Sequence, residues 1–425
     1  MLFAQLIDYI KRFWNHPTLP RDAGVVLLCL VIYRFVNAVP VPGVDISGLR
    51  AFFERSELFG FLNIVSGGGL NNFSLLMLGV GPFITASIIV QLMTVIIPRW
   101  EELSQEGEQG TKTLMQYTRI LTVPLALLQG YGYISYLQTQ SNVLGPFTAQ
   151  QWVVSLACIT AGSVFLMWLG EIISERKIGN GSSLIIFAGI IARLPLSVQQ
   201  TLQVIDQIDY IALGSFLLLA LLTVVFVVFM NDAQKNVPIH YARLGALTAH
   251  GKNFLPLKVN ATGVIPVIFA VSVALFPTII AQYLVTSQNL TVSRFAQYIL
   301  TLFQNRVFYG ILYFILVIAF TWFSTSIFFQ PKKIAENLQK NGGFIPGVRP
   351  GLHTEEFLVQ TMNRIIPAGA TFLAAVAVMP FIAQSLTGIA TIALGGTSIL
   401  IVVSVVIDAV KKIQGKMVSL NYDNM

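Results

Sequence analysis

The sequence predicts an all-α membrane protein that crosses a bilayer ten times. Three observations carry that expectation. Of 425 residues, 55% are hydrophobic and 11% charged, with mean hydropathy +0.73, whereas a soluble domain carries about 25% charged residues. Apolar runs of roughly spanning length recur along the chain, parted by polar segments. Lys and Arg gather on alternate polar segments, as the two sides of a membrane require.

Residues 1–22 contain the basic, amphipathic LIDYIKRF ahead of Pro17 and Pro20 and read as a helix lying in the membrane interface. Span one is residues 23–39. It holds Arg34, costly at that depth unless it faces protein, water or an interface. Pro40, Pro42 and Gly43 end it, and no small-residue cleavage pattern suggests a removable signal.

Residues 58–98 form a broken element. A short apolar segment, 58–65, runs into Ser66, Gly67, Gly68 and Gly69, then Asn71 and Asn72, then an apolar run over 73–97. At helical rise that run is roughly 36 Å long and crosses a bilayer. The short segment is about two turns and does not. Each glycine is unfavourable in a helix by about 1 kcal/mol relative to Ala. The expectation is a half-inserted helix, a flexible joint and a spanning helix. Such backbone is tolerated at membrane depth only where protein or a water-filled cavity surrounds it.

Span three is residues 114–137, span four 151–170 and span five the short 182–195, ended by Pro195. Span six is 210–230, span seven 262–285, span eight 307–329, span nine 365–382 and span ten 397–413. The N-terminus, the C-terminus and the segments after spans two, four, six and eight hold most of the cations, among them Lys112, Arg176, Lys235, Lys332 and Lys411. The opposite side has Arg50, Arg55 and Arg294, with Arg193 and Arg306 near span ends. Both termini and the long loops 231–260 and 330–363 are therefore expected in the cytosol. Ten spans suit five plus five, as an inverted repeat, with halves 1–200 and 201–425.

No enzyme is expected: HExxH, GxSxG, Walker A and paired intramembrane aspartates are all missing. Cys29 and Cys158 sit in apolar runs and read as packing residues. His16, His240, His250 and His353 lie far apart without ligand spacing, so no metal and no cofactor is expected. Asp206 and Asp209 read as solvated boundary carboxylates. Two other classes stay open on the residues alone. A secondary transporter of inverted-repeat type would need a mid-membrane site, and scarce buried charge counts against it. An intramembrane enzyme would need a nucleophile and a base.

Val80 and Ile84 are four apart and share a helix face, loosened by Gly79, Gly81 and Pro82. Ile186, Ile268 and Ile401 are branched residues in Gly-, Ser- or Pro-containing neighbourhoods. Read singly they are packing residues; gathered, they form a dry constriction that blocks ions. The loop 231–260 carries Lys235, Arg243, Lys252 and Lys258 against Asp232. The other long loop sets Arg349 within NGGFIPGVRPG, a rigid frame that presents one side chain to a partner. Basic loops meet RNA phosphates or an acidic protein surface.

The stretches NIVSGGGL, LGVGPFITASIIVQLMTVIIP, EGEQGTKTLMQYTR, WLGEIISERKIGNGSSLIIFAGI, PLKVNATGVIPVIFA, ENLQKNGGFIPGVRPG and GGTSILIVV, in this order, resemble the SecY family of protein-conducting channels. The resemblance covers essentially the whole chain. It implies two pseudo-symmetric halves around an hourglass pore closed by a plug half-helix at 59–70, including Phe59, Phe61, Leu62, Ile64, Val65, Gly67, Gly68 and Gly69. It implies a pore ring of Val80, Ile84, Ile186, Ile268 and Ile401. Family members often carry a sixth apolar ring residue after the GNG motif. Ser182 stands there in this chain, so either the gasket is looser or a neighbour such as Leu184 compensates. A lateral gate is implied between spans two and three and spans seven and eight, with Thr85, Ser87, Gln91 and Gln129 supplying polar groups. Arg243, Lys252 and Arg349 are implied to dock the SecA ATPase or the ribosome. SecE and SecG are the implied membrane partners, and signal peptides, nascent polypeptides and membrane lipids the implied traffic. The implied place is the plasma (inner) membrane, multi-pass, or a thylakoid membrane in a photosynthetic source.

Overall fold

The computed structural model describes residues 13–14, 16–42, 66–70, 72–139, 147–203, 210–241, 253–260, 262–285, 289–387 and 390–423. Helices dominate. They are α1 (Leu19–Asn37), α2 (Gly81–Ile96), α3 (Pro98–Gln105), α4 (Glu108–Thr139), α5 (Ala149–Glu175), α6 (Gly181–Gln203) and α7 (Tyr210–Asp232). The strands β1 (Gln234–Tyr241) and β2 (Asn253–Lys258) follow, then α8 (Ile265–Val285), α9 (Leu290–Gln304), α10 (Arg306–Phe328) and α11 (Pro331–Lys340). Strand β3 (Gly343–Phe344) and helices α12 (Leu352–Thr387) and α13 (Ala390–Asp423) complete the chain.

Several helix starts are written locally. Thr148 and Gln151 form a capping box on α5, Thr148 Oγ1 accepting from Gln151 N at 3.3 Å while Gln151 Oε1 accepts from Thr148 N at 2.8 Å. Asn289 and Asn305 cap α9 and α10 in the same sense. Among the described residues, three helical stretches, in α5, in α10–α11 and in α12, are long and apolar enough to cross a membrane, or four if α2 and α3 count as one bent span. Helix α7 exposes Leu218, Leu221, Val225 and Phe229, and α10 exposes Ile311, Ile315 and Trp322. Apolar faces of this kind suit lipid rather than water.

Span two departs from its expected form. The helix begins at Gly81, not at residue 73, because Phe73 and Gly79 take positive φ (43° and 59°) and break the helical path. Residues 72–80 form turns instead, and Ser74 pairs with Pro40 across an isolated antiparallel bridge. The chain then bends by 110° at Pro98 into α3, read from sequence as loop. Trp100 of α3 stacks on Tyr117 of α4, with ring centroids 5.0 Å apart. Helix α6 runs eight residues past Pro195, which a helix absorbs where neighbouring groups satisfy the freed carbonyl. Helix α9, expected as outer loop, is amphipathic and exposes Phe295 and Tyr298.

The described parts of the two long loops fold together. β1 and β2 pair antiparallel, with Gln234 opposite Lys258 and Ile239 opposite Asn253, and β3 adds to β1 at His240–Phe344 and Tyr241–Gly343. Alternation along β1 turns Val237 and Ile239 inward. They meet a separate small core of Leu257, Ile345, Leu358 and Met362, contributed by β2, the β3 turn and the first turns of α12.

Among the described residues the N-terminal and C-terminal halves meet along two fronts. Helix α8 packs on α2 and α4, and α13 packs on α6. Within the halves, α10 lies along α12 and α4 beside α2 and α5. Bare backbones allow two further close approaches, of α5 to the 72–80 turns and of α6 to α5, as close packing rather than hydrophobic burial drives association in lipid. A Cβ on Gly162 of α5 would strike the Leu75 carbonyl, and one on Gly181 the Gly170 carbonyl.

Candidate pore, gate and docking loop

The five residues expected to close a constriction come from four elements in both halves. Val80 leads into α2, Ile84 lies one turn on, Ile186 is in α6, Ile268 in α8 and Ile401 in α13. Val80, Ile84, Ile186 and Ile401 are buried in one hydrophobic cluster, and the half-buried Ile268 packs against it. Leu184 belongs to the same cluster; Ser182 is half-buried. Leu184 also lies over Gly179, where a Cβ would come within 2.6 Å of its Cδ1. An apolar group at the α6 start thus accompanies the serine, two residues along.

Of the residues expected to form a plug, Phe59, Phe61, Leu62, Ile64 and Val65 lie outside the described residues. The joint that follows is described in detail. Gly67 and Gly68 have φ of 68° and 91°, a region that L side chains rarely adopt. Three side chains from the last turn of α1 reach this joint. Tyr33 Oη donates to Ser66 O at 3.3 Å, and Arg34 Nη1 and Asn37 Nδ2 each donate to Gly67 O at 2.8 Å. Arg34 therefore reaches a backbone acceptor at the joint, which offsets part of its cost in span one. Asn37 Oδ1 accepts in turn from Ser74 Oγ at 3.1 Å, and Ser74 N donates to Gly69 O at 2.9 Å. Tyr33, Asn37 and Ser74 were not legible as site residues. The signal was present: a buried Asn and Tyr near the end of an apolar run need polar partners.

The polar groups expected at the lateral gate split into two sets. Gln129 Nε2 of α4 donates to Thr85 Oγ1 of α2 at 3.5 Å, and Thr85 Oγ1 donates to Gly81 O at 3.0 Å. Gln91 Nε2 donates to Ser87 Oγ at 3.3 Å within α2. These bonds tie α2 to itself and to α4, on one side of the seam with α8. Gln91 Oε1 is buried, and among the described residues no hydrogen bond reaches it.

Of the expected docking residues, Arg243 and Lys252 lie outside the described residues. Arg349 is exposed on a turn fixed from below. Gly347 and Gly351 take φ of 82° and 93°. Ile345 is buried, Val348 N donates to its carbonyl at 3.0 Å, and the buried Thr354 donates from Oγ1 to Arg349 O at 3.0 Å. The backbone is held while the guanidinium projects.

A second polar join links the root of the loop unit to α13. Asn260 Nδ2 donates to Asn231 Oδ1 at 2.9 Å, and Asn231 Nδ2 donates to Ser404 Oγ at 3.3 Å, one turn from Ile401. Lys411 Nζ pairs with Asp232 at 2.6 Å and donates to Asn231 O at 2.8 Å. Elsewhere Arg119 Nε meets Glu171 at 2.8 Å between α4 and α5. Among the described residues no three His, Cys, Asp or Glu side chains gather as a metal site.

A family model described as SecY matches residues 74–410. The chain belongs to the SecY family. Proteins named Protein translocase subunit SecY are similar to it over nearly its whole length. That of Streptomyces coelicolor is 38% identical, covering 98% of this chain and 99% of its own. That of Corynebacterium glutamicum is 41% identical, covering 93% and 94%. That of Pseudomonas aeruginosa is 39% identical, covering 94% and 91%. Two solved structures share the fold. One, described as the structure of a protein conducting channel, has a TM-score of 0.65 at 21% identity, over 93% of this chain and 92% of that one. The other, Sec61 in a canine ribosome–channel complex, has a TM-score of 0.62 at 20% identity, over 93% and 92%. This SecY-type helical channel fold is the all-α membrane architecture expected from composition, and family membership sets the transporter reading aside.

Proposed function

We propose that this chain is the channel-forming subunit of a protein translocase. It passes secretory polypeptides across a membrane and releases apolar segments sideways into lipid. One observation carries the reading: in a chain that matches SecY translocase subunits end to end, apolar residues from both halves converge on a single buried cluster. In this reading ten spans form two pseudo-symmetric halves, 1–200 and 201–425. The residues Val80, Ile84, Ile186, Ile268 and Ile401 form the gasket, and 59–70 is the plug. The α8 contact with α2 and α4 is the seam that opens, and the α13 contact with α6 is the side that stays closed.

The energetics ask little of the channel. A segment of about 20 apolar residues gains several kcal/mol on moving from water to lipid, so the gate has only to expose both environments. No bond is made or broken by this subunit; any ATP is hydrolysed by a partner. SecA or the ribosome docks on the cytosolic unit around Arg349, Arg243 and Lys252, and SecE and SecG sit beside the bundle. The membrane is the plasma (inner) membrane, with both termini in the cytosol.

Replacing residues 59–70 with a short linker tests the reading. The purified complex in planar bilayers is expected to leak ions at rest. An unchanged resting conductance would refute the plug role.

A further inference from the structure

Deepening the plug reading above, on which this rests, we infer that Tyr33 and Asn37 of α1 are positioning residues that clamp the joint 66–69 and so set the resting state of the channel. The joint is caught from two sides. On one, three side chains of a single α1 turn donate to two successive carbonyls, Ser66 O and Gly67 O. On the other, Gly67 lies against bare backbone: a Cβ there would stand 3.0 Å from Gly189 Cα of α6 and would collide with the Tyr33 hydroxyl. A Cβ on Gly189 would stand 2.8 Å from Gly67 Cα. The joint therefore cannot slide into α1 or α6; it leaves its seat only by breaking hydrogen bonds.

Asn37 is the keystone, because both ends of its amide are used. Its Nδ2 holds Gly67 O and its Oδ1 accepts from Ser74 Oγ, on the far side of the joint. A Cβ on Gly69 would come within 2.7 Å of that same Oδ1. One buried side chain thus measures the chain on both sides of the glycines. Hydrogen bonds in membrane bundles are individually modest, so a clamp made of three is firm at rest and breakable under load. A purely apolar seat at this contact would lack that directional release.

The test is resting ion conductance of the purified full complex in planar bilayers, for the wild type, the 59–70 deletion, Asn37→Ala, Tyr33→Phe, and Asn37→Ala within the deletion. Asn37→Ala removes two hydrogen bonds and is expected to raise conductance about three- to tenfold. Tyr33→Phe removes one and raises it up to about threefold. Within the deletion, where the joint is gone, Asn37→Ala is expected to add nothing. If the deletion leaks and both point variants stay at the wild-type level, the clamp is overturned and the plug reading survives. If Asn37→Ala adds the same increment within the deletion, the residue acts by general loosening and the clamp is overturned. If the deletion itself does not leak, the plug reading fails and takes the clamp with it. Should Asn37→Ala fail to assemble, Tyr33→Phe alone decides.

Discussion

Single residues set how closely backbones approach in this bundle, and glycine placement has measurable consequences. Gly162 of α5 lies against the Leu75 carbonyl, so a methyl group there must push the 72–80 crossing away. Gly162→Ala is expected to destabilise the purified protein by about 1–3 kcal/mol, as overpacking does. Thermal unfolding in detergent checks this. Gly214→Ala on α7 is the control, because nothing lies within 4 Å of its Cβ position; it is expected to be neutral or slightly stabilising. At Arg349 a side chain is presented and does not pack. Its turn is held through Ile345, Val348 and Thr354, so charge reversal leaves the fold alone. Arg349→Glu is expected to cut ATP-driven import of a secretory precursor into vesicles at least tenfold, while the complex still assembles. Import at the wild-type rate would remove Arg349 from the docking surface.

Elements were legible where the signal is local. The long apolar runs became α4, α5, α7, α8 and α10 nearly as read, and the glycine run became the joint at 66–70. What was missed depends on contacts between distant segments. The helix at 73–80 is replaced by turns because Ser74 pairs with Pro40 and Asn37 binds Ser74, partners more than thirty residues away. Pro195 suggests a helix end by sequence alone, but proline costs a helix one donor and the tertiary setting absorbs it. The three-stranded sheet needed residues 240–241 to find 343–344. Only the β1 alternation, Val237 and Ile239 inward, carried a local hint. The gathering of Val80, Ile84, Ile186 and Ile401 into one cluster, with Ile268 against it, depends on four elements that periodicity alone does not bring together.

At the scale of the whole molecule, the halves are joined among the described residues by apolar packing along two fronts and by a charge cluster. Asp22 in the first turn of α1 pairs with Lys416 near the end of α13 at 2.5 Å and with Arg176 after α5 at 3.7 Å. Lys416 also donates to Arg176 O at 3.4 Å. The Asp22 carboxylate suits a helix start, where the backbone dipole favours an anion. Its side chain is 13% exposed and that of Lys416 24%, between the screened surface case and the fully desolvated one. Such a pair is expected to contribute about 1–2 kcal/mol, less at high salt. It links positions at opposite ends of the chain, on the flank where α13 meets α6. This is where two halves must stay together if they part at α8. A double-mutant cycle isolates the join: Asp22→Asn, Lys416→Met and the pair, each followed by thermal unfolding of the complex. Each single change is expected to destabilise, and the double change to cost less than their sum by about 1 kcal/mol. Strict additivity would mean that the ion pair does not hold the halves, leaving α13 against α6 to do so by packing alone.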